Sequence, residues 1–214
     1  MKVDLGFSAF RTKTAALAHF KRILNDAPMG AALVGEAERE VLALLRRHPE
    51  AAQKIGPGVS RIVVRKAPNF NTRCFYVRRV DGTSTDFSYR SCVSARAKTL
   101  EQRWSTACRR AVAGDVAHFK RTAFGTGPTV ASALSGERVA WGDAHVDHAP
   151  PNTFRQIVAA FDDPDASRLS PPGDNDDACR FTCGETRERF VEHHNRLADL
   201  RIVSADENLR LPRS

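Results

Sequence analysis

No run of about 18 apolar residues occurs in the 214-residue chain, so a membrane-spanning helix is not expected. The opening MKVDLGFSAF lacks a basic start followed by an apolar core, and no secretory signal is expected there. Cysteines are scattered and odd in number: Cys74, Cys92, Cys108, Cys179 and Cys183. That argues against a secreted disulfide framework and for a reducing, cytoplasmic location. No internal repeat is present. What remains is an ordinary globular mixture, 42% hydrophobic and 27% charged, long enough for one large domain or two small ones with real cores.

Charge is unevenly spread. Residues 1–125 carry 23 Lys and Arg against 10 Asp and Glu, whereas residues 126–214 carry 10 against 15. A basic N-terminal half points to a polyanionic partner, most simply nucleic acid, held through its phosphates. The plainer alternative is a solvated basic surface.

The patterning predicts an α+β chain. FRTKTAALAHFKRILND reads as a helix capped by Thr12 or Thr14, with Ala16, Phe20, Ile23 and Leu24 at helical spacing. GEAEREVLALLRRHPEAAQKIG reads as a second, with Pro49 opening a further short turn. VSRIVVRK and TRCFYVRRVDGTSTDFSY follow as strands, the latter two joined at Asp81-Gly82, a strong hairpin cue. One or two helices are expected across residues 94–124, with Trp104, Ala107, Ala111 and Val112 as a stripe. Beyond the loop GTGPTV, the pattern predicts short strands over ALSGERVAWGDAHVDH and a helix begun by Asn152 or Thr153. A polar, acidic loop, PDASRLSPPGDNDDA, comes next. Then follow a helix carrying Phe190, His194 and Leu197, and a short strand with a final turn over RIVSADENLRLPRS.

The residues HPEAAQKIGPGVSRIVV and NTRCFYVRRVDGTSTDFSYRSCV carry a resemblance over about Phe7 to Val93. They are similar to the domain named for the plant "defective chloroplasts and leaves" protein (DCL, DUF3223-type). The resemblance implies a small domain of helices and antiparallel sheet associated with nucleic acid rather than with chemistry. The residues agree: Lys54, Arg61, Arg65, Lys66, Arg73, Arg78, Arg79 and Arg90 lie on or beside the predicted sheet. Phe70, Phe75, Tyr76, Phe87 and Tyr89 are interleaved with them, either to stack bases or, more simply, as core. Gly56, Gly58 and Gly82 read as turn formers.

DAHVDHAPPNTF, Asp143 to Phe154, sets Asp147 beside His148, with His145 two positions before the acid. A carboxylate is a hard ligand for Mg²⁺ or Mn²⁺, and an imidazole can take a proton from water. Adjacent strand residues point to opposite faces, so both reach one phosphate only at an irregular strand end or loop. The stretch resembles the first half of the HNH (ββα-metal) nuclease motif, and LRIVSADENLRLPRS looks like its second half. The resemblance implies His148 as general base, Asp147 and Asn208 as ligands of one divalent metal, and His145 as a supporting or phosphate-contacting residue. His193 and His194 read as a helix face, with His194 the candidate supporting partner. The paired zinc-binding cysteines of many relatives are missing; Cys179 and Cys183 read as unligated thiols, and no structural zinc is expected.

These readings predict a DCL-like α+β domain (1–97), a helical connector (98–127) and an HNH-like unit (128–214). The expected function is metal-dependent cleavage of nucleic acid, DNA rather than RNA. The alternative is a non-catalytic nucleic-acid-binding or transcription-associated module with a degenerate HNH-like scaffold. A hydrolase using Cys74 or Cys92 is a third, weaker reading.

Overall fold

A computed structural model describes residues 2–67, 72–170 and 179–212. The chain is mixed helix and antiparallel sheet and divides after Lys98 into two compact units. Among the described residues no helix is long and apolar enough to cross a membrane. Phe70 and residues 171–178 of the acidic loop lie outside the described residues.

In the first unit a short pair, β1 (Val3–Asp4) and β2 (Ala9–Phe10), precedes α1 (Lys13–Asp26). Thr12 is the cap, its side chain accepting from the Ala15 backbone N–H, and Ala16, Phe20 and Leu24 form the buried stripe. The second predicted helix is divided into α2 (Gly35–Leu45) and α3 (Ala51–Ile55). The break falls at Pro49, which has no N–H to continue a helix and disfavours helical geometry at His48. The sheet is β3 (Val59–Lys66), β4 (Arg73–Arg79) and β5 (Ser84–Phe87) in that order, followed by α4 (Tyr89–Ser94). Gly82 turns the hairpin at φ +82°, and Asp81 Oδ1 accepts from the Thr83 N–H. Ile62, Val64, Phe75, Val77 and Phe87 pack with α1, α2 and α4 in one core.

The second unit begins with α5 (Leu100–Ala111) and α6 (Ala113–Phe124). These helices, expected as a connector, carry its core. Trp104, Ala107 and Cys108 of α5 pack with Phe154 and Ile157 of α7 (Phe154–Ala159) and Phe190 of α8 (Gly184–Leu197). Thr153, not Asn152, opens α7 through a reciprocal capping box with Gln156. A hairpin of β6 (Thr129–Ala131) and β7 (Arg138–Ala140) precedes β8 (Ala144–His148), which pairs antiparallel with β9 (Leu200–Ser204). The predicted final turn is a helix, α9 (Ala205–Arg210), because Ser204 and Glu207 form a further capping box. Phe124, Val139, Ala144 and Ile202 make a small second core beneath these strands.

Candidate active site

Among the described residues β8 pairs with β9 alone, and its other edge carries no partner strand. Alternation sends His145 and Asp147 to one face and Val146 and His148 to the other. Even so, all five β8 residues line one cavity of about 590 Å³, together with Arg109, Lys120, Phe154 and Asn208. Residues from both faces of the strand thus border one cavity.

Each predicted residue has a distinct setting. Asp147 is half-buried opposite Arg201, whose Nε and Nη2 both donate to Oδ2, at 2.9 and 2.7 Å. Oδ1 has no partner among the described residues. Asn208, on α9, reaches β8 at His145 rather than at Asp147, its Nδ2 donating to His145 Nδ1 at 2.9 Å. The Asn208 carbonyl oxygen has no partner among the described residues. His148 lies against the edge of Phe154 and meets His194, Nε2 to Nε2, at 2.9 Å. Burial first, then the neighbouring His194, pushes its imidazole down to about 4; Asp147 pulls the other way, and Arg109 adds to the lowering. The ring is therefore neutral near pH 7.

His194 is not a solvated helix face: it is 1% exposed and touches His148 directly. His193 instead bonds the Ile157 carbonyl at 3.0 Å. Two cations that the sequence reading did not single out stand at the cavity. The Arg109 guanidinium lies 4.5 Å over the Phe154 ring. Lys120 donates to the carbonyls of Ala144 and Trp141, and burial lowers its pKa. Both sit beside the apolar stripes of α5 and α6. That position alone does not distinguish them from solvated lysines and arginines.

Among the described residues no group of three His, Cys, Asp or Glu side chains is placed to hold a metal ion. Asp147 and Asn208, each with a side-chain oxygen that has no partner among the described residues, nevertheless line the cavity. Hard oxygen donors of this kind fit Mg²⁺ or Mn²⁺, and Mg²⁺ commonly keeps several waters and needs few protein ligands. All five cysteines are free. Burial, with Asp86 nearby, pushes the Cys74 thiol up to about 12 and makes it a poor nucleophile.

Three basic residues predicted to contact nucleic acid are used internally instead. Lys54 is 1% exposed, with Nζ donating to the Asp86 carbonyl at 2.9 Å. Arg79 is buried and donates to the Gln53 and Lys54 carbonyls at the end of α3; a side-chain carbon at Gly56 would meet it at 2.9 Å. Arg73 binds the last carbonyls of α1, those of Leu24, Asn25 and Ala27. Arg61, Arg65, Lys66 and Arg90 are exposed and Arg78 is half-exposed. Strand register puts Arg61 opposite Arg78 on the sheet face away from the core. Arg65 lies on that same face, 5.8 Å over the Tyr76 ring. Phe75 and Phe87 are core, while Tyr89 is half-buried against it.

Residues 21–93 match the model of the family described as "Protein of unknown function (DUF3223)". The chain is 45% identical over 67 residues to Protein DCL, chloroplastic, of Solanum lycopersicum, an alignment covering 30% of each chain. It is 35% identical over 92 residues to Protein EMBRYO DEFECTIVE 514 of Arabidopsis thaliana, covering 42% of this chain and 46% of that one. It is 41% identical over 80 residues to DNA-directed RNA polymerase IV subunit 1 of the same plant, covering 37% of this chain and 6% of that subunit. The chain thus spans less than half the length of these relatives. A solution structure of an uncharacterized protein from Rhodospirillum rubrum is 37% identical, covering 42% of this chain and 86% of that one, with a TM-score of 0.40. The segment from residue 21 to residue 93, with its three-stranded sheet and packed helices, is therefore a DUF3223 domain of the kind found in the DCL proteins.

Proposed function

We propose that the second unit is an HNH-like, metal-dependent phosphodiester hydrolase acting on DNA, and that the exposed basic sheet face of the first unit holds the nucleic-acid backbone. One observation carries this reading. A strand–strand–helix unit, β8–β9–α9, presents Asp147, His148, His145 and Asn208 to one cavity that Arg109 and Lys120 also line. Asp147 and Asn208 are the residues that would hold the cation. When bound, a divalent cation supplies charge neutralisation at the phosphate and the leaving oxygen. His148, neutral near pH 7, accepts the proton of the attacking water. Arg109 and Lys120 hold phosphate oxygens. A relative of the first unit that is part of a DNA-directed RNA polymerase supports a nucleic-acid setting. The free thiols suit a reducing compartment, on this reading the cytoplasm.

A second reading is favoured by the Arg201 ion pair, which already neutralises Asp147. On it the second unit is a scaffold and the chain a nucleic-acid-binding or transcription-associated module. Incubating the protein and His148→Ala with supercoiled plasmid and single-stranded RNA, in Mg²⁺, Mn²⁺ or EDTA, separates the two. The hydrolase gives metal-dependent nicking that the variant loses while still binding. A module binds in low salt, never cuts, and is indifferent to EDTA.

A further inference from the structure

His148 is the last link of a hydrogen-bonded chain that begins three elements away. Asp115, in the first turn of α6, accepts from Asn195 Nδ2 at 3.0 Å. Asn195 Oδ1 meets His194 Nδ1 at 2.9 Å, and His194 Nε2 meets His148 Nε2 at 2.9 Å. A carboxylate only accepts, so Asp115 fixes which end of the Asn195 amide faces it. The oxygen end is then turned toward His194, and the proton of that neutral ring belongs on Nδ1. Its Nε2 is left as a lone pair, which in turn requires the proton of His148 to sit on Nε2.

We infer that Asp115, Asn195 and His194 are positioning residues that set the tautomer of His148, leaving Nδ1 as its one basic nitrogen. This rests on the hydrolase reading for its purpose, but not for its geometry. His148 Nδ1 has no partner among the described residues, and His148 borders the cavity. In the reaction, water gives its proton to Nδ1 and its oxygen to phosphorus; the bond from phosphorus to the leaving sugar oxygen breaks, and that oxygen departs with the electron pair and takes a proton from solvent. The Nε2–H bond to His194 stays in place throughout, so the ring does not turn as it charges. His194 is 1% exposed and packed against Phe190, which removes water as a competing partner.

The test is long-range proton–nitrogen NMR on the full chain with ¹⁵N-labelled histidine, at pH 8 in EDTA, with His148 and His194 assigned by His148→Gln and His194→Gln. The expected spectrum has His148 protonated on Nε2 and His194 on Nδ1. Asn195→Leu, which deletes the acceptor, should scramble both tautomers. Asp115→Asn, nearly isosteric, should do so partly, because an amide partner no longer dictates the Asn195 orientation; it keeps the test alive if Asn195→Leu does not fold. In the plasmid assay, Asn195→Leu should lower kcat about 10- to 100-fold with KM unchanged, as losses of supporting partners commonly do. His148 protonated on Nδ1 in the wild-type chain, or tautomers indifferent to both variants, overturns the relay. The expected tautomers in a chain that never cleaves leave the relay standing and sink the hydrolase reading instead.

Discussion

Arg201 stands directly across the β8–β9 pair from Asp147 and gives two N–H groups to one carboxylate oxygen, at 2.9 and 2.7 Å. The pair is a fifth exposed at most, 20% and 18% for the two side chains, so solvent only partly substitutes for either partner. Removing Arg201 leaves a half-buried acceptor unpaired; removing both does not. Arg201→Ala should therefore lower stability by about 1–3 kcal/mol, and Asp147→Ala/Arg201→Ala should recover part of that loss. Urea unfolding of the four chains measures the coupling. An unchanged midpoint for Arg201→Ala would mean that water already serves that oxygen.

The His148 shift has a signed consequence for stability. Its folded pKa, about 4, lies below the ordinary imidazole value of 6.5. Between those values the unfolded chain binds a proton that the folded chain refuses, so stability falls as pH drops from 6.5 to 4 and levels off below. Discounted for partial exposure, the loss is about 2 kcal/mol. His148→Gln should flatten the stability profile in that window relative to wild type. Parallel profiles would show that burial does not keep the ring neutral.

Local signals were legible where the chemistry was local. Thr12, the stripe of Ala16, Phe20 and Leu24, and the Asp81-Gly82 turn all declare themselves within a few residues. The Asp147–His148 pair and Asn208 were visible as a motif, and the fold brings them to one cavity. What stayed hidden depends on distant partners. The α5 stripe has its packing partners some fifty to ninety residues further on, at Phe154 and Phe190, so it read as a connector. His194 showed its helical position, but its contact with His148, 46 positions away, has no local signal. Lys54, Arg73 and Arg79 read as a nucleic-acid surface because sequence does not reveal which carbonyls they meet. The capping box Ser204–Glu207 was present in the sequence and signals α9, yet six residues followed by Pro212 pass easily for a turn.

That capping box governs where Asn208 sits. Glu207 accepts from the Ser204 N–H at 2.7 Å and from Ser132 Oγ at 2.6 Å, tying α9 to the end of β6. Hydrogen bonds from Ser132, Ser135 and Ser204 hold its carboxyl down at about 2. A depressed acid contributes stability above its unfolded value, 4.5, and loses it as pH falls toward 2. Amide exchange in α9 should therefore accelerate across that window, and Ser204→Ala should cost about 1 kcal/mol at neutral pH. Exchange in α9 that is insensitive to both changes would show that the helix is held by packing alone.

The basic residues of the first unit should separate into two behaviours. Lys54 lies inside, its ammonium on the Asp86 carbonyl, so Lys54→Ala empties a buried site and strips a carbonyl of its donor. It should cost about 2–4 kcal/mol. Arg61 and Arg65 stand on the open sheet face and hold no core together. Arg61→Ala and Arg65→Ala should leave the melting temperature unchanged, weaken binding to DNA uniformly across sequences, and each reduce the salt slope of log Kd by about 1. Fluorescence anisotropy at several salt concentrations, beside thermal melts, reads both effects. Unchanged affinity and slope in the Arg61→Ala/Arg65→Ala chain would remove the sheet face from the nucleic-acid interface. The site of phosphate contact would then have to be sought on the second unit, beginning at Arg109 and Lys120.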